Sequence, residues 1–184
     1  MRLYLIRHPQ PVVASGVCYG SSDLPVNDEE CARVCDALLP QLPRETPLFS
    51  SPLRRCAELA ELLVNTLGNE PPKYDPRLVE MHFGQWEMQS WQALPRAEID
   101  AWANDLAYYR PGNGENVVQV AQRVHAFADQ LLTLQLPQAI IVAHAGTMRL
   151  LDAWQAGASL EQTALRAAQT ENRVGYGELL IIDR

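Results

Sequence analysis

Hydrophobic positions along this chain fall into two alternating patterns, short unbroken runs and longer spaced stripes. Leu3 to Ile6 and Ala139 to Ala143 (AIIVA) are compact apolar runs, the pattern of buried strands. Leu48-Phe49 ends a further short strand, Tyr74 lies in an extended segment, and Glu178 to Ile182 reads as a final strand. Between these runs the spacing becomes helical. Cys56, Leu59, Leu63 and Leu67 form one stripe, and Val117, Val120, Val124, Phe127 and Leu131 form another within a long helix over 115–134. Asn27 followed by Glu30 predicts a capped helix start running to about Leu39, where Pro40 and Pro43 stop it. Ser51-Pro52 predicts an N-cap and first-turn proline for the next helix, with Gly68 at its end, and another helix begins near Gly146. The alternation predicts an α/β fold, with a mostly parallel central sheet flanked by helices on both faces. The stretch over 80–111 holds Trp86, Trp91 and Trp102 with little strand character, and predicts a helical insertion containing a helix from about Pro95 to Leu106.

Composition narrows the picture. The 184 residues fit one domain, 1–184, and 47% hydrophobic with 20% charged content is ordinary for a globular chain. No apolar run is long enough to span a bilayer, and Arg7 and His8 interrupt the N-terminal apolar stretch before a signal peptide could form. A cytoplasmic protein without a membrane partner is expected. A net charge of −7 argues against a nucleic-acid surface. Fourteen of the fifteen basic residues are Arg, Lys73 being the exception, so an anionic ligand would be met by local bidentate contacts and not by the overall field. Cys18, Cys31, Cys35 and Cys56 are expected as reduced thiols. Cys31 and Cys35 share a helix face, but no CxxC or HxxxH pattern accompanies them, and core packing is the expected use.

Three strand ends carry chemistry. The first strand delivers Arg7 and His8, the second leads through Ser50-Ser51 to Arg54-Arg55, and AIIVA ends at His144-Ala145-Gly146. In a parallel sheet such junctions share one edge, so these residues can converge. An imidazole is a competent nucleophile and guanidinium groups match phosphate oxygens, while helix starts add N–H donors. Such a site needs no metal or other cofactor, because arginines and helix ends supply the positive charge.

The runs LIRH at 5–8, SSPLRR at 50–55, LVEMHFGQWE at 78–87 and VAHAGTMR at 142–149 resemble the histidine phosphatase superfamily, in its phosphoglycerate-mutase-like branch. The resemblance implies a sheet whose strand C-terminal edge is covered by the 80–111 insertion. It implies His8 as the nucleophile and Arg7, Arg55 and His144 as holders of the phosphoryl oxygens. It also implies Glu80 as the acid for the leaving group and then the base for water. Its register puts Arg54 outside the site. The chemistry asks for a neutral His8, its second nitrogen donating to a backbone carbonyl, and for a Glu80 protonated when the ester oxygen leaves. Gly146 is expected to offer a backbone donor to the phosphate. Glu87 competes with Glu80 for the acid role, and the L-x-E spacing favours Glu80. His82 and His125 are expected on the surface. The tryptophans fit either core packing or an aromatic rim facing the substrate.

The usual family pattern RHGETxxN reads here RHPQPVVA, so Pro9 lacks an N–H and Ala14 stands where Asn is usual, with Ser15, Ser21 and Ser22 as candidate stand-ins. SGVCYGSSD at 15–23, with SWQALPRAEIDAWA at 90–103 and RPGNGE at 110–115, resembles the α-ribazole-5′-phosphate phosphatases of cobalamin biosynthesis. That implies a phosphorylated small-molecule substrate. Alternatives are a cofactor-dependent phosphoglycerate mutase, another sugar-phosphate phosphatase, or a phospho-ligand-binding protein without turnover. No pattern in the chain speaks to its oligomeric state.

Overall fold

The computed structural model describes residues 1–184, and its strands follow the apolar runs. β1 (Arg2–Arg7), β2 (Leu48–Ser50), β3 (Lys73–Tyr74), β4 (Gln138–Ala143) and β5 (Leu179–Asp183) form one sheet in the order β3-β2-β4-β1-β5. β1, β2, β3 and β4 run parallel, and β5 pairs antiparallel with β1 at the edge. Alternation along each central strand divides the core in two. Leu3, Leu5, Ala139, Ile141 and Ala143 join one buried cluster, and Ile6, Ile140 and Val142 join the other. The first cluster packs beneath α4 (Val117–Thr133), α5 (Ala145–Gln155) and α6 (Leu160–Gln169). The second packs beneath α1 (Asp28–Leu38) and α2 (Arg54–Leu67). Helices on both faces of a mostly parallel sheet are therefore the observed architecture. No helix is long and apolar enough to cross a membrane.

Helix ends follow cap chemistry with two departures from expectation. Asn27 caps α1 by accepting from the Glu29 N–H, but Glu30 does not close a capping box, because its carboxylate is held by Arg33 at 2.7 Å. Ser51 and Pro52 do not start α2. Its N-cap is Leu53, and the Ser51 hydroxyl is turned to the His144 ring at 2.8 Å. Asn116 and Gln119 do form a reciprocal box at the start of α4. Gly68 ends α2 in the left-handed region, at φ 70°. Cys31, Cys35 and Cys56 pack into the core beneath α1 and α2, and all four thiols are free.

The insertion contains one helix, α3 (Arg96–Asn104), close to the predicted span. Cys18, Trp86 and Leu94 form its own small core, with Phe83, Ile99, Trp102 and Tyr109 against it. Val17 bridges to Ser90, and the Met88 N–H donates to the Cys18 carbonyl at 2.7 Å, so the insertion is tied to the loop that follows β1.

Candidate active site

The register of the sheet brings the two histidines together. Arg7 pairs with Ala143 across β1 and β4, so the next residues on each strand, His8 and His144, emerge side by side. The His8 N–H donates to the Ala143 carbonyl at 3.1 Å, and the two rings lie 5.1 Å apart. Ser50 pairs with Val142 on the other side of β4, which places Ser51 against His144. Arg55, two residues beyond the Leu53 cap, is fully buried at the same edge.

His8 has a defined tautomer. Its Nδ1 lies 2.7 Å from the Pro9 carbonyl oxygen, which can only accept, so Nδ1 carries the proton and Nε2 presents a lone pair. Burial, then the charge of Arg55 and lastly that of Arg7, lower the His8 pKa to about 3 against the Pro9 hydrogen bond, which raises it. The ring is neutral at physiological pH, as a nucleophile must be. Pro9 serves this contact as well as any residue would, since only its carbonyl is used. His144 is likewise held well below the usual histidine range, by burial first and then by His8, Arg55 and the more distant arginines.

The two guanidinium groups are oriented by carbonyls. Arg7 Nη1 donates to the Val174 carbonyl at 2.8 Å, and its plane lies 4.0 Å from the Tyr176 ring centroid. Arg55 donates through Nη1 to the Ser22 carbonyl at 2.6 Å and through Nη2 to the Gly20 carbonyl, beneath the Tyr19 ring. The Nε–H of each is buried and has no partner within the protein. Orphaned buried donors are rare and costly, and these two belong to the guanidinium groups whose charge acts on His8. Gly20 is required by space, since a Cβ there would sit 1.8 Å from the Met81 carbonyl oxygen.

Glu80 stands at the start of α5. Its Oε2 accepts from the Gly146 N–H at 2.8 Å and its Oε1 from the Met81 N–H at 2.9 Å. Gly146 makes this approach feasible, because any Cβ would meet Glu80 Oε1 at 2.3 Å. The backbone donor expected for a phosphate is thus directed at Glu80. The first N–H of α2 is similarly taken, Arg54 N–H donating to Asp23 at 2.7 Å. The Arg54 side chain pairs with Glu58 at the surface, outside the site as expected.

Beside Glu80 and Gly146 a cavity of about 420 Å³ opens, lined by sixteen residues of which thirteen are hydrophobic. Phe83, Trp91 and Trp102 form its aromatic wall, while Trp86 is buried in the small core, so the tryptophans divide between the two uses. Arg149, which donates to the Thr170 carbonyl at 2.9 Å, is the cation among the lining residues. Tyr19 also lines this cavity, and its hydroxyl meets that of Tyr176 at 2.5 Å.

Several of these residues escape a reading of the sequence. Tyr19 and Tyr176 lie in separate loops, and only the flanking glycines of YG at 19–20 and GYG at 175–177 hint at them. Arg123, on the predicted α4 stripe's polar side, donates to the carbonyls of Arg77, Val79 and Glu80 and pairs with Glu115, fixing the segment that carries Glu80. Glu87 is not at the cavity wall with Glu80 but is bound to Ser21 and Ser22. Those serines are therefore committed to Glu87, and Ala14 and Ser15 are exposed. His82 is exposed and His125 half-buried.

Comparison with known proteins identifies the family. The family model described as histidine phosphatase superfamily (branch 1) matches residues 3–173. The adenosylcobalamin/alpha-ribazole phosphatase of Escherichia coli (strain K12) is 33% identical over 158 residues, covering 82% of this chain and 77% of that protein. The structure of the alpha-ribazole phosphatase from Shigella flexneri superposes with a TM-score of 0.83 at 30% identity, over 100% of this chain and 90% of that one. A phosphoglycerate mutase from Thermus thermophilus superposes at 0.72 with 29% identity, over 100% and 93% of the two chains. With the matched span covering both histidine-bearing strand ends, the chain belongs to branch 1 of the histidine phosphatase superfamily.

Proposed function

We propose that the protein hydrolyses a phosphomonoester through a phosphohistidine on His8, and that the alcohol it releases is bulky and largely apolar, as in α-ribazole 5′-phosphate. One observation carries the chemistry: a neutral imidazole, its Nδ1–H fixed on a carbonyl, feels the charges of two guanidinium groups whose buried Nε–H donors lack partners. His8 Nε2 attacks phosphorus in line, and the P–O bond to the alcohol breaks as the P–N bond forms. Arg7, Arg55 and His144 hold the equatorial oxygens, where charge spreads in a loose transition state. Glu80 delivers a proton to the departing oxygen. Each of its oxygens accepts one N–H and keeps a second lone pair for that proton. Water then attacks phosphorus, gives its proton to Glu80 and releases phosphate, restoring His8.

The cavity supports the choice of alcohol. Its volume falls in the ordinary small-molecule range of roughly 300–1,000 Å³, and it opens beside Glu80, where the leaving group must go. The names of the relatives above point the same way. Rapid quenching with labelled substrate should trap an acid-labile, base-stable label that is absent from His8→Ala. A label that persists in that variant overturns the assignment. The same preparation should hydrolyse α-ribazole 5′-phosphate with a higher kcat/KM than it does 3-phosphoglycerate. Isomerisation of 3-phosphoglycerate without release of phosphate would instead establish the mutase reading.

A further inference from the structure

Glu87 is half-buried, is hydrogen-bonded to neither histidine, and accepts five hydrogen bonds. Oε1 takes the Ser21 N–H at 2.9 Å, the Ser21 hydroxyl at 2.9 Å and the Phe83 N–H at 3.0 Å. Oε2 takes the Ser22 N–H at 2.7 Å and the Ser22 hydroxyl. Five donors on one carboxylate saturate it. Burial pushes its pKa up, but the hydrogen bonds from Ser22, Phe83 and Ser21 outweigh burial and hold it below the ordinary range, so it remains ionised. The segment it grips is the one whose carbonyls, Gly20 and Ser22, receive the two Nη groups of Arg55. Phe83, the fifth donor, belongs to the insertion that walls the cavity.

Resting on the phosphatase reading above, we infer that Glu87 is a positioning residue for Arg55: it fixes the 20–22 turn, and through the Gly20 and Ser22 carbonyls it sets the guanidinium that holds the phosphoryl group. The chain of contacts runs Glu87, Ser21 and Ser22, the two carbonyls, then Arg55, with a hydrogen bond at each step. The separation of roles is chemically sensible. A carboxylate bonded directly to Arg55 would neutralise the charge the phosphate needs, whereas one acting through backbone carbonyls orients it and leaves the charge free.

Glutamine in place of Glu87 tests this. An amide offers one oxygen and one NH₂, so at least one of the three backbone N–H donors must face another donor. The Ser hydroxyls can rotate to adapt, but the backbone cannot. Glu87→Gln should lower kcat/KM for p-nitrophenyl phosphate by about tenfold or more, and weaken inorganic phosphate binding by a similar factor. A merely structural role would give the same loss whatever occupies position 55. If Glu87 acts through Arg55, the substitution should change kcat/KM by less than about twofold in an Arg55→Met background, yet keep its full effect in an Arg7→Met background. Equal losses in all backgrounds, or no loss in the parent, overturn the proposal. If Glu87→Gln does not fold, Ser22→Ala removes one donor while leaving the backbone contacts, and the same cycle applies with a smaller loss. An active parent enzyme with an additive cycle refutes only the role of Glu87. A parent that forms no phosphoenzyme refutes the reading on which it rests.

Discussion

Acidification should destabilise this protein through His8 and His144 before its carboxylates titrate. In the unfolded chain a histidine titrates near 6.5, whereas in the fold His8 is lowered to about 3 and His144 well below the usual value. The unfolded state therefore binds the proton first. The stability tied to neutral His8 is complete above 6.5, is lost progressively as pH falls towards 3, and declines no further below that. The slope is about 1.4 kcal/mol per pH unit for each histidine, so two units of acidification cost roughly 2.7 kcal/mol at His8 alone. Carried to its folded pKa, the loss from His8 approaches roughly 5 kcal/mol, against a total of about 5–15 kcal/mol for a typical domain. Glu87 and Glu115 are held below the ordinary carboxylate value and add their own losses only below about 4.5, so the interval from 6.5 to 4.5 isolates the histidines. Urea unfolding at half-unit pH steps measures this slope. Two histidines predict an uptake of about two protons on unfolding near pH 5, and His125, lowered by burial as well, adds to it unless replaced by Asn. His8→Asn, which keeps an N–H donor for the Pro9 carbonyl, should remove about one proton from the slope. A flat stability profile between 6.5 and 4.5, or a slope unchanged in His8→Asn, refutes the claim that His8 is held neutral by its surroundings.

Two substitutions probe the parts around it. Gly20→Ala forces a Cβ to within 1.8 Å of the Met81 carbonyl, so it should cost roughly 1–3 kcal/mol or more in urea unfolding and lower kcat/KM by displacing a carbonyl that orients Arg55. A variant with parental stability and activity would show that the 20–22 turn adapts freely. Glu80→Gln should slow hydrolysis of an alkyl phosphate by roughly 10²–10⁴-fold but p-nitrophenyl phosphate far less, because only the poor leaving group needs a proton. Equal slowing of both, in steady-state assays side by side, would remove Glu80 from the acid role.

Much of the scaffold is legible in the sequence because it rests on local rules. The unbroken apolar runs at Leu3–Ile6 and Ala139–Ala143 read directly as buried strands, their residues divide between the two core clusters, and the strand ends that follow carry the histidines. What escapes depends on tertiary competition. The Ser51 hydroxyl is a good cap by residue type, but the approach of His144 claims it and α2 starts later. The helix α6 goes unread, although Ser159 and Gln162 form the capping box that announces it, because its short alanine-rich stripe lacks large apolar residues. Tyr19 and Tyr176 belong to loops 157 residues apart, and no periodicity connects them. Glu87 reads as a candidate acid because residue type is visible in a sequence, whereas the five donors that saturate it come from two segments that meet only in the fold.

The partners of the arginines explain how an acidic protein can bind a dianion. Arg2, Arg33, Arg54, Arg77, Arg96 and Arg123 each pair with a carboxylate. Arg7, Arg55 and Arg149 do not, nor do Arg110 and Arg184 at the periphery; each is held by backbone carbonyls instead. A carbonyl fixes the guanidinium plane as well as a carboxylate does but cancels none of its charge. Elsewhere the net charge of −7 repels phosphate, so affinity must come from the few cations left uncompensated. Those same uncompensated charges, Arg55 ahead of Arg7, help keep His8 deprotonated. In the proposed mechanism, withholding carboxylates from Arg7 and Arg55 therefore does two things at once: it leaves positive charge for the phosphoryl oxygens, and it keeps His8 neutral for attack.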